Sequence, residues 1–225
     1  MQPGYSRVDA AEADAERCHL QNAYGPSVVA AACAERGTRL VAFSSDLVFD
    51  GRATRPHHEG DPPGPLSVYG SAKAEGERRV LALNPAALVL RPGAYFGPWD
   101  GCNFLARALG TLRSGRPFVA ADDLTVTPAY LPDLADEVLD LLVDDECGVW
   151  HPPSGPMTWA DLARTAALGA GLAPTGVVPR PAAAFRWPAT RPAYSELGST
   201  RGLFLPPLAD SLVRFSRDFD PQLFP

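Results

Sequence analysis

The sequence predicts an α/β fold, in which an incomplete Rossmann-like parallel sheet with helices is followed by a small mixed α/β region. Helical periodicity alternates with short apolar runs along the chain, as in α/β proteins. The two clearest runs, residues 39–44 and 87–91, are mainly apolar, which is typical of strands buried in a parallel sheet. The 24 prolines and 20 glycines fall between these segments and divide the chain into many short elements.

The first half of the chain gives the strongest helical signals. Residues 8–36 are rich in alanine, and the Tyr-Gly-Pro sequence at 24–26 predicts that they form two helices or one kinked helix. The next predicted elements are a strand (39–44), a Pro-rich loop (51–66), a helix (68–83) and a second strand (87–91).

After Pro92 the predicted elements become shorter. They are helices at about 103–113, 133–143 and 208–219, with strands at Phe118-Val119 and Gly148–Trp150. A further helix begins at Thr158, where Thr158 and Asp161 resemble a capping pair with aspartate in the usual place of glutamate. Residues 173–207 are Pro-rich and are predicted to be mostly irregular.

Composition excludes several classes of partner. The formal net charge of −6 offers no basic footprint for nucleic acid or for an anionic membrane surface. No apolar run is long enough to span a bilayer, and residues 1–7 lack the apolar core of a signal peptide. These features predict a cytoplasmic protein.

Cysteine and histidine spacing argues against a metal site. The four cysteines are widely separated and form no C-x-x-C pair. His57 and His58 lie in the Pro-rich loop, where adjacent side chains diverge, and no cluster of cysteines and acids is near in sequence. We therefore expect no bound metal.

Tyr69 and Lys73 form a Y-x-x-x-K pair on the predicted helix 68–83. A spacing of four places both side chains on one helix face, where the ammonium can favour phenolate and lower the tyrosine pKa from about 10. Such a phenol can donate and accept protons near neutral pH. Tyrosine and lysine at this spacing also occur by chance on many helices.

Ser45 lies at the carboxyl end of the predicted strand 39–44, where open α/β sheets place their ligand crevice. Its hydroxyl can hydrogen-bond a substrate carbonyl. A serine after a strand is also commonly a helix cap or a turn residue.

The order of motifs resembles the extended short-chain dehydrogenases, and most closely the dTDP-4-dehydrorhamnose reductase family. The resemblance covers nearly all of the chain. The matching segments are Tyr5–Glu12, Asn22, Ser44–Gly51, Glu59–Pro65, Val68–Lys73, Gly76-Glu77, Leu90-Arg91, Asn103-Phe104, Thr127-Pro128, Pro132–Ala135 and Arg191–Ser195.

The resemblance implies a role for each candidate residue. It implies that Tyr69 is the proton donor, that Lys73 binds the nicotinamide ribose and tunes Tyr69, and that Ser45 replaces the usual threonine or serine partner. The remaining assignments are Ser44 beside Tyr69 and Lys73 at the cofactor, and Asn103, Phe104 and Arg191 at the substrate. The implied cofactor is NADP or NAD, the implied substrate is a keto-deoxysugar nucleotide, and a homodimer is compatible with this reading.

The resemblance also implies a division of the chain into residues 1–150, the remainder of an NAD(P)-binding domain, and residues 151–225, the substrate-binding region. This boundary is approximate. Family members begin with a glycine-rich turn that receives the cofactor pyrophosphate, and this sequence contains no such motif. We expect a truncation, a misplaced start or a remnant gene, and weak cofactor binding by the 225-residue chain alone.

Substitutions inside the match leave the substrate open. Ala94, Leu124 and Ala129 replace the family's usual tryptophan, glutamine and threonine in regions that line the sugar site of relatives. Two alternatives therefore stand beside the reductase. One is a non-catalytic sugar-nucleotide-binding or regulatory protein derived from the family, and the other is a related sugar-nucleotide epimerase or dehydratase.

Overall fold

The computed structural model of the protein describes residues 4–202 and 205–219. The α-helices are α1 (Val8–Ala11), α2 (Ala15–His19), α3 (Gly25–Glu35), α4 (Val68–Leu83), α5 (Phe104–Arg113), α6 (Leu131–Val143), α7 (Trp159–Gly169) and α8 (Leu208–Asp218). The strands are β1 (Val41–Phe43), β2 (Leu88–Leu90), β3 (Tyr95–Phe96), β4 (Phe118–Ala121), β5 (Thr125–Val126), β6 (Ala129–Tyr130), β7 (Gly148–Trp150), β8 (Met157–Thr158) and β9 (Val177–Arg180).

A three-stranded parallel sheet in the order β1-β2-β7 organises the first region. Val41 lies opposite Leu88, and Leu88 lies opposite Gly148. All three residues of the central strand β2 are buried, which explains its continuous apolar run. The predicted α/β class is confirmed, as are the strands at 39–44, 87–91 and 148–150 at their cores.

Helices cover both faces of this sheet. On one face, Val80 of α4 and Ala30 of α3 pack with Val89. On the other face, Leu141 of α6 packs with Leu88 and Leu90. The helices fix the sheet from both sides, so the carboxyl ends of the strands form a rigid edge for a site.

Before β1, the structure has three α-helices and a π-helical turn, where the sequence predicted two helices or one kinked helix. A π-helical turn, Leu20–Tyr24, joins α2 directly to α3, and Pro26 follows this turn as the second residue of α3. Gly76 of α4 packs against this turn, since a Cβ there would lie only 2.2 Å from the Asn22 carbonyl oxygen. The π turn and a glycine thus bring Asn22 close to α4.

A second apolar cluster, away from the main sheet, holds α5, α7 and α8 together. Leu105 and Leu109 of α5, Leu162 of α7 and Phe215 of α8 are buried together with Phe96. Thr158 caps α7, as predicted, and its hydroxyl also donates to the Asp161 carboxylate at 2.8 Å.

Strand β9 is an element that the sequence did not predict, within the segment 173–207 that is otherwise mostly irregular, as expected. It pairs in parallel with β4, and Phe118 lies opposite Val177. The strand has four residues including Pro179, so it shows no period of its own, and its partner is distant in sequence. α6 begins at Leu131, two residues before the predicted start, because Pro132 is tolerated in a first turn.

Candidate active site

Ser45 lies at the carboxyl edge of the main sheet. β1 ends at Phe43, and the Ser44 amide continues the ladder by donating to the Leu90 carbonyl at 2.7 Å. Ser45 then caps a single 3₁₀ turn, since its Oγ accepts from the Leu47 amide at 3.1 Å. Both readings of Ser45 are met: it is a cap, and it stands where a ligand crevice is expected.

Tyr69 and Lys73 reach the same edge from α4. The helix starts against the 3₁₀ turn, because a Cβ on Gly70 would lie 2.2 Å from the Leu47 carbonyl oxygen. Lys73 Nζ donates to the Phe43 carbonyl at 2.9 Å, directly at the end of β1. The structure therefore brings Ser45, Tyr69 and Lys73 together.

The environment of the Tyr69 hydroxyl holds it in the protonated form and makes it a weaker acid than an exposed tyrosine. Burial raises the pKa of Tyr69 well above its ordinary value, and the nearby Asp46 and Cys18 raise it further. A hydrogen bond with the Ser45 side chain acts in the opposite direction. The prediction that Lys73 lowers the Tyr69 pKa is wrong for this structure, because burial dominates and the ammonium is bonded to a carbonyl.

Burial also changes the pKa of Lys73. Its Nζ lies 5.7 Å from the centroid of the Tyr69 ring. Burial lowers the pKa of Lys73, while Cys18 and Glu77 oppose that effect.

Asp46 is a buried carboxyl in this site whose contacts the sequence did not reveal. Its Oδ1 accepts from Ser45 Oγ at 3.0 Å and its Oδ2 accepts from Ser195 Oγ at 2.7 Å. Burial raises the pKa of Asp46, and the hydrogen bonds from Ser195 and Ser45 lower it. The only sequence signal for Asp46 was its place as a polar residue just after a predicted strand.

Ser44 is occupied inside the fold. Its hydroxyl donates to the Glu77 carboxylate. Glu77 also forms a buried ion pair with Arg91, with bonds of 2.9 Å from Nε and 2.7 Å from a terminal nitrogen. The predicted cofactor role of Ser44 stays a prediction, since its side chain ties β1 to α4.

The fold also engages the three predicted substrate residues. Asn103 caps α5 by accepting from the Ala106 amide at 2.9 Å. Phe104 packs edge-on against Trp159 at 4.5 Å between ring centroids. Within residues 4–202 and 205–219, no hydrogen bond joins Asn103 or Arg191 to the Ser45 site.

Arg191 forms a two-bonded ion pair with Asp9, at 2.9 and 2.8 Å. This pair lowers the pKa of Asp9. The Arg191 guanidinium also lies 4.3 Å from the centre of the Trp187 ring. Arg191 therefore anchors the late segment of the chain to α1.

A cavity of about 230 Å³ opens beside this anchor. Its lining residues are Leu124, Ala182, Ala183, Arg186, Trp187, Ala189, Thr190 and Arg191. Arg186 is exposed and adopts a left-handed backbone conformation with a φ of 50°. Ser195, four residues after Arg191, connects this wall to Asp46.

The arrangement defines a class of protein. A parallel sheet with helices on both faces places a serine at a strand end and a tyrosine and lysine, one turn apart, on the following helix. This is the fold of an extended short-chain dehydrogenase, and the catalytic roles of the three residues stay predictions.

The chain belongs to the dTDP-4-dehydrorhamnose reductase family. Residues 3–203 match the family model of the RmlD substrate binding domain. The chain is 36% identical over 211 residues to a probable dTDP-4,6-dihydroxy-2-methyloxan-3-one 4-ketoreductase of Streptomyces antibioticus, covering 92% of this chain and 71% of that protein. It is 36% identical over 202 residues to a dTDP-4-dehydrorhamnose reductase of Mycobacterium tuberculosis, covering 87% of this chain and 66% of that protein.

Solved structures agree with this membership. A Clostridium acetobutylicum dTDP-4-dehydrorhamnose reductase has a TM-score of 0.89 at 32% identity, over 94% of this chain and 77% of that chain. A Bacillus anthracis dTDP-4-dehydrorhamnose reductase in complex with NADP has a TM-score of 0.90 at 27% identity, with the same coverage of 94% and 77%.

Among the described residues, no helix has the length and apolar character needed to cross a membrane.

Proposed function

We propose that this chain provides the acid–base residues and sugar-nucleotide site of an NAD(P)-dependent reductase that acts on a dTDP-linked keto-deoxysugar. The convergence of Ser45, Tyr69 and Lys73 at the carboxyl edge of the sheet carries this proposal. The names of the curated relatives support the reaction class, and they do not favour the regulatory or epimerase alternatives.

Tyr69 is the proton donor in this proposal. The phenol is protonated at neutral pH, as an ordinary tyrosine is, and an alkoxide formed at the sugar carbonyl is basic enough to take its proton. Ser45 lies beside it and hydrogen-bonds the same oxygen. The cofactor, when bound, supplies the hydride.

The residues around Lys73 fit the nicotinamide-ribose end of such a cofactor. Lys73 can exchange the Phe43 carbonyl for a ribose hydroxyl. Asn22 Oδ1 is buried without a hydrogen-bond partner, and a Cβ on Gly4 would lie 2.7 Å from it and 3.9 Å from Lys73 Nζ. An unsatisfied acceptor beside a cation is a site that a hydroxyl can complete.

The cavity beside Arg191 is proposed to take the nucleotide half of the substrate. Arg191 is held by Asp9, so we assign the contact with the diphosphate to the exposed Arg186, whose guanidinium suits phosphate oxygens. Asn103 and Phe104 then shape this region through the position of α5. We also propose that the protein is cytoplasmic and forms a homodimer. The boundary between the cofactor-binding and substrate-binding parts of the chain is placed near residue 150.

The nucleotide half is tested on the 225-residue chain itself by calorimetric titration with dTDP. Arg186→Ala should weaken binding by about 10-fold, equivalent to ~1.4 kcal/mol. Arg113→Ala, which removes an exposed arginine in the last turn of α5, is the matched control. Equal affinities for the two variants would reject the Arg186 assignment.

The reaction is tested in a chimera in which the glycine-rich N-terminal segment of a family reductase precedes Gly4. NADPH oxidation should require a dTDP-linked keto-deoxysugar, and NADPH binding is measured separately. A chimera that binds NADPH and dTDP yet oxidises no NADPH with dTDP-4-dehydrorhamnose or dTDP-4-keto-6-deoxyglucose would refute the reductase proposal.

A further inference from the structure

Ser195, Asp46 and Ser45 form a buried chain of hydrogen bonds behind Tyr69. Asp46 is 5% exposed, and Ser195 and Ser45 are 1% and 8% exposed. Each carboxylate oxygen of Asp46 accepts from one serine, at 2.7 Å from Ser195 and 3.0 Å from Ser45. Ser195 lies 149 residues after Asp46 in the sequence.

Counting hydrogens shows that Ser45 cannot serve two acceptors. A serine hydroxyl has one hydrogen, and the Ser45 oxygen already accepts from the Leu47 amide. While Asp46 is ionised, the Ser45 hydrogen is directed to Asp46. It is then not available to a substrate oxygen or to Tyr69.

Protonation of Asp46 reverses this direction. A carboxylic acid has its own O–H, which can donate to Ser45 Oγ and release the serine hydrogen toward Tyr69. Ser195 remains satisfied in either state, because its hydroxyl lies 3.2 Å from the Thr125 carbonyl oxygen as well as 2.7 Å from Asp46. The second acceptor makes the reversal compatible with a buried, fully bonded network.

We propose that Asp46 is a positioning residue, whose proton decides whether the Ser45 hydroxyl points away from the reacting oxygen or toward it. This inference rests on the proposed reductase function. No covalent step is added: the proton stays on Asp46 and acts only through the orientation of Ser45.

The surroundings of Asp46 favour the acid form. Burial raises the pKa of Asp46, against the hydrogen bonds from Ser195 and Ser45 and from the backbone amides of Asp46 and Leu47. The titratable groups that face it are Tyr69 from α4 and Tyr95 from β3. Burial raises the pKa values of both tyrosines, and the Asp46 charge adds to that effect.

The protonation state is measured first on the 225-residue chain, by NMR titration of ¹³C-labelled aspartate carboxyls. Asp46→Asn assigns the signal. We expect Asp46 to titrate above the ordinary aspartate value of about 3.9. Ser195→Ala should raise the midpoint further, because it removes a donor to the carboxylate. A midpoint at or below the ordinary value, or one unmoved by Ser195→Ala, would overturn the proposal.

The consequence for turnover is measured in the chimera. The kcat should fall as pH rises through the Asp46 midpoint, and Ser195→Ala should move this fall to higher pH. Asp46→Asn has no titrating proton, so its kcat should lose this limb of the pH profile. Persistence of the limb in Asp46→Asn would show that another group controls it. A wild-type chimera that binds NADPH and dTDP yet is inactive would refute the reductase function, while the NMR titration would still decide the state of Asp46.

Discussion

The Ser45 site and the segment from 177 to 197 are assembled by different kinds of contact. Tyr69 and Lys73 lie one turn apart on a single helix, so their shared face follows from their spacing. The late segment is held by contacts between distant parts of the chain, such as the Arg191–Asp9 ion pair across 182 residues.

This difference has a consequence for function. Sequence spacing singled out Tyr69 and Lys73 as candidates, and the structure places them with Ser45 at one edge of the sheet. The residues that the resemblance assigns to the substrate are also a helix cap, a core aromatic and an anchor for the chain. Substitutions in the two regions should therefore separate turnover from stability.

Tyr69→Phe should have the largest effect on activity. In the chimera, kcat should fall by about 10² to 10⁴-fold, while KM changes little, because the lost proton transfer matters chiefly in the transition state. Tyr24→Phe, on the π turn beneath Arg79, is the control. Similar kcat values for the two variants would remove Tyr69 from the mechanism.

Glu77→Leu should have the largest effect on stability. It leaves Arg91 buried without its partner, which typically costs about 3–5 kcal/mol in the free energy of unfolding. Urea titration followed by circular dichroism measures this change. Adding Arg91→Met should recover most of the loss, and a double variant as unstable as Glu77→Leu alone would contradict the uncompensated-charge explanation.

Acidification should weaken the packing of the late segment through His151. Its Nδ1 lies 3.0 Å from the His57 carbonyl oxygen and 2.9 Å from that of Gly198, and burial lowers the pKa of His151. The unfolded chain therefore binds a proton before the folded chain does. The free energy of unfolding should fall as the pH drops below about 6.5, the pKa of histidine in the unfolded chain. The total loss should be ~1.4 kcal/mol for each unit by which folding lowers the pKa of His151.

Thermal unfolding between pH 7.5 and 5 tests the His151 prediction. His151→Phe should flatten the pH dependence, although its own stability at pH 7.5 can differ from wild type. His19→Gln provides the comparison, because that histidine is only partly buried on α2. A wild-type slope retained in His151→Phe would assign the acid sensitivity to other groups.

Asn103→Ala should have the smallest effect. Loss of the α5 cap should reduce the free energy of unfolding by about 1 kcal/mol. Affinity for dTDP, measured by calorimetry, should stay the same in this variant and in Asn103→Ser, which retains a capping oxygen. A selective loss of dTDP binding in Asn103→Ala would instead support direct substrate contact.

The sequence alone determined the local elements with strong patterns. The α4 boundaries, the strands β1 and β2, and the Thr158 cap follow from periodicity and capping chemistry, which act over a few residues, whereas β1 is not buried as predicted, since Phe43 is 44% exposed. The resemblance added the roles of Ser45, Tyr69 and Lys73, and the α/β class followed from the order of elements.

Only the tertiary structure decided the remaining features. The pairing of β9 with β4 joins segments about sixty residues apart, and Ser195 reaches Asp46 across 149 residues, so neither contact leaves a local pattern. The π turn at Leu20–Tyr24 packs closely against Gly76, a contact between segments more than fifty residues apart. The direction of the Tyr69 pKa shift also required the structure, because helix spacing shows a nearby cation but not how far burial disfavours the phenolate.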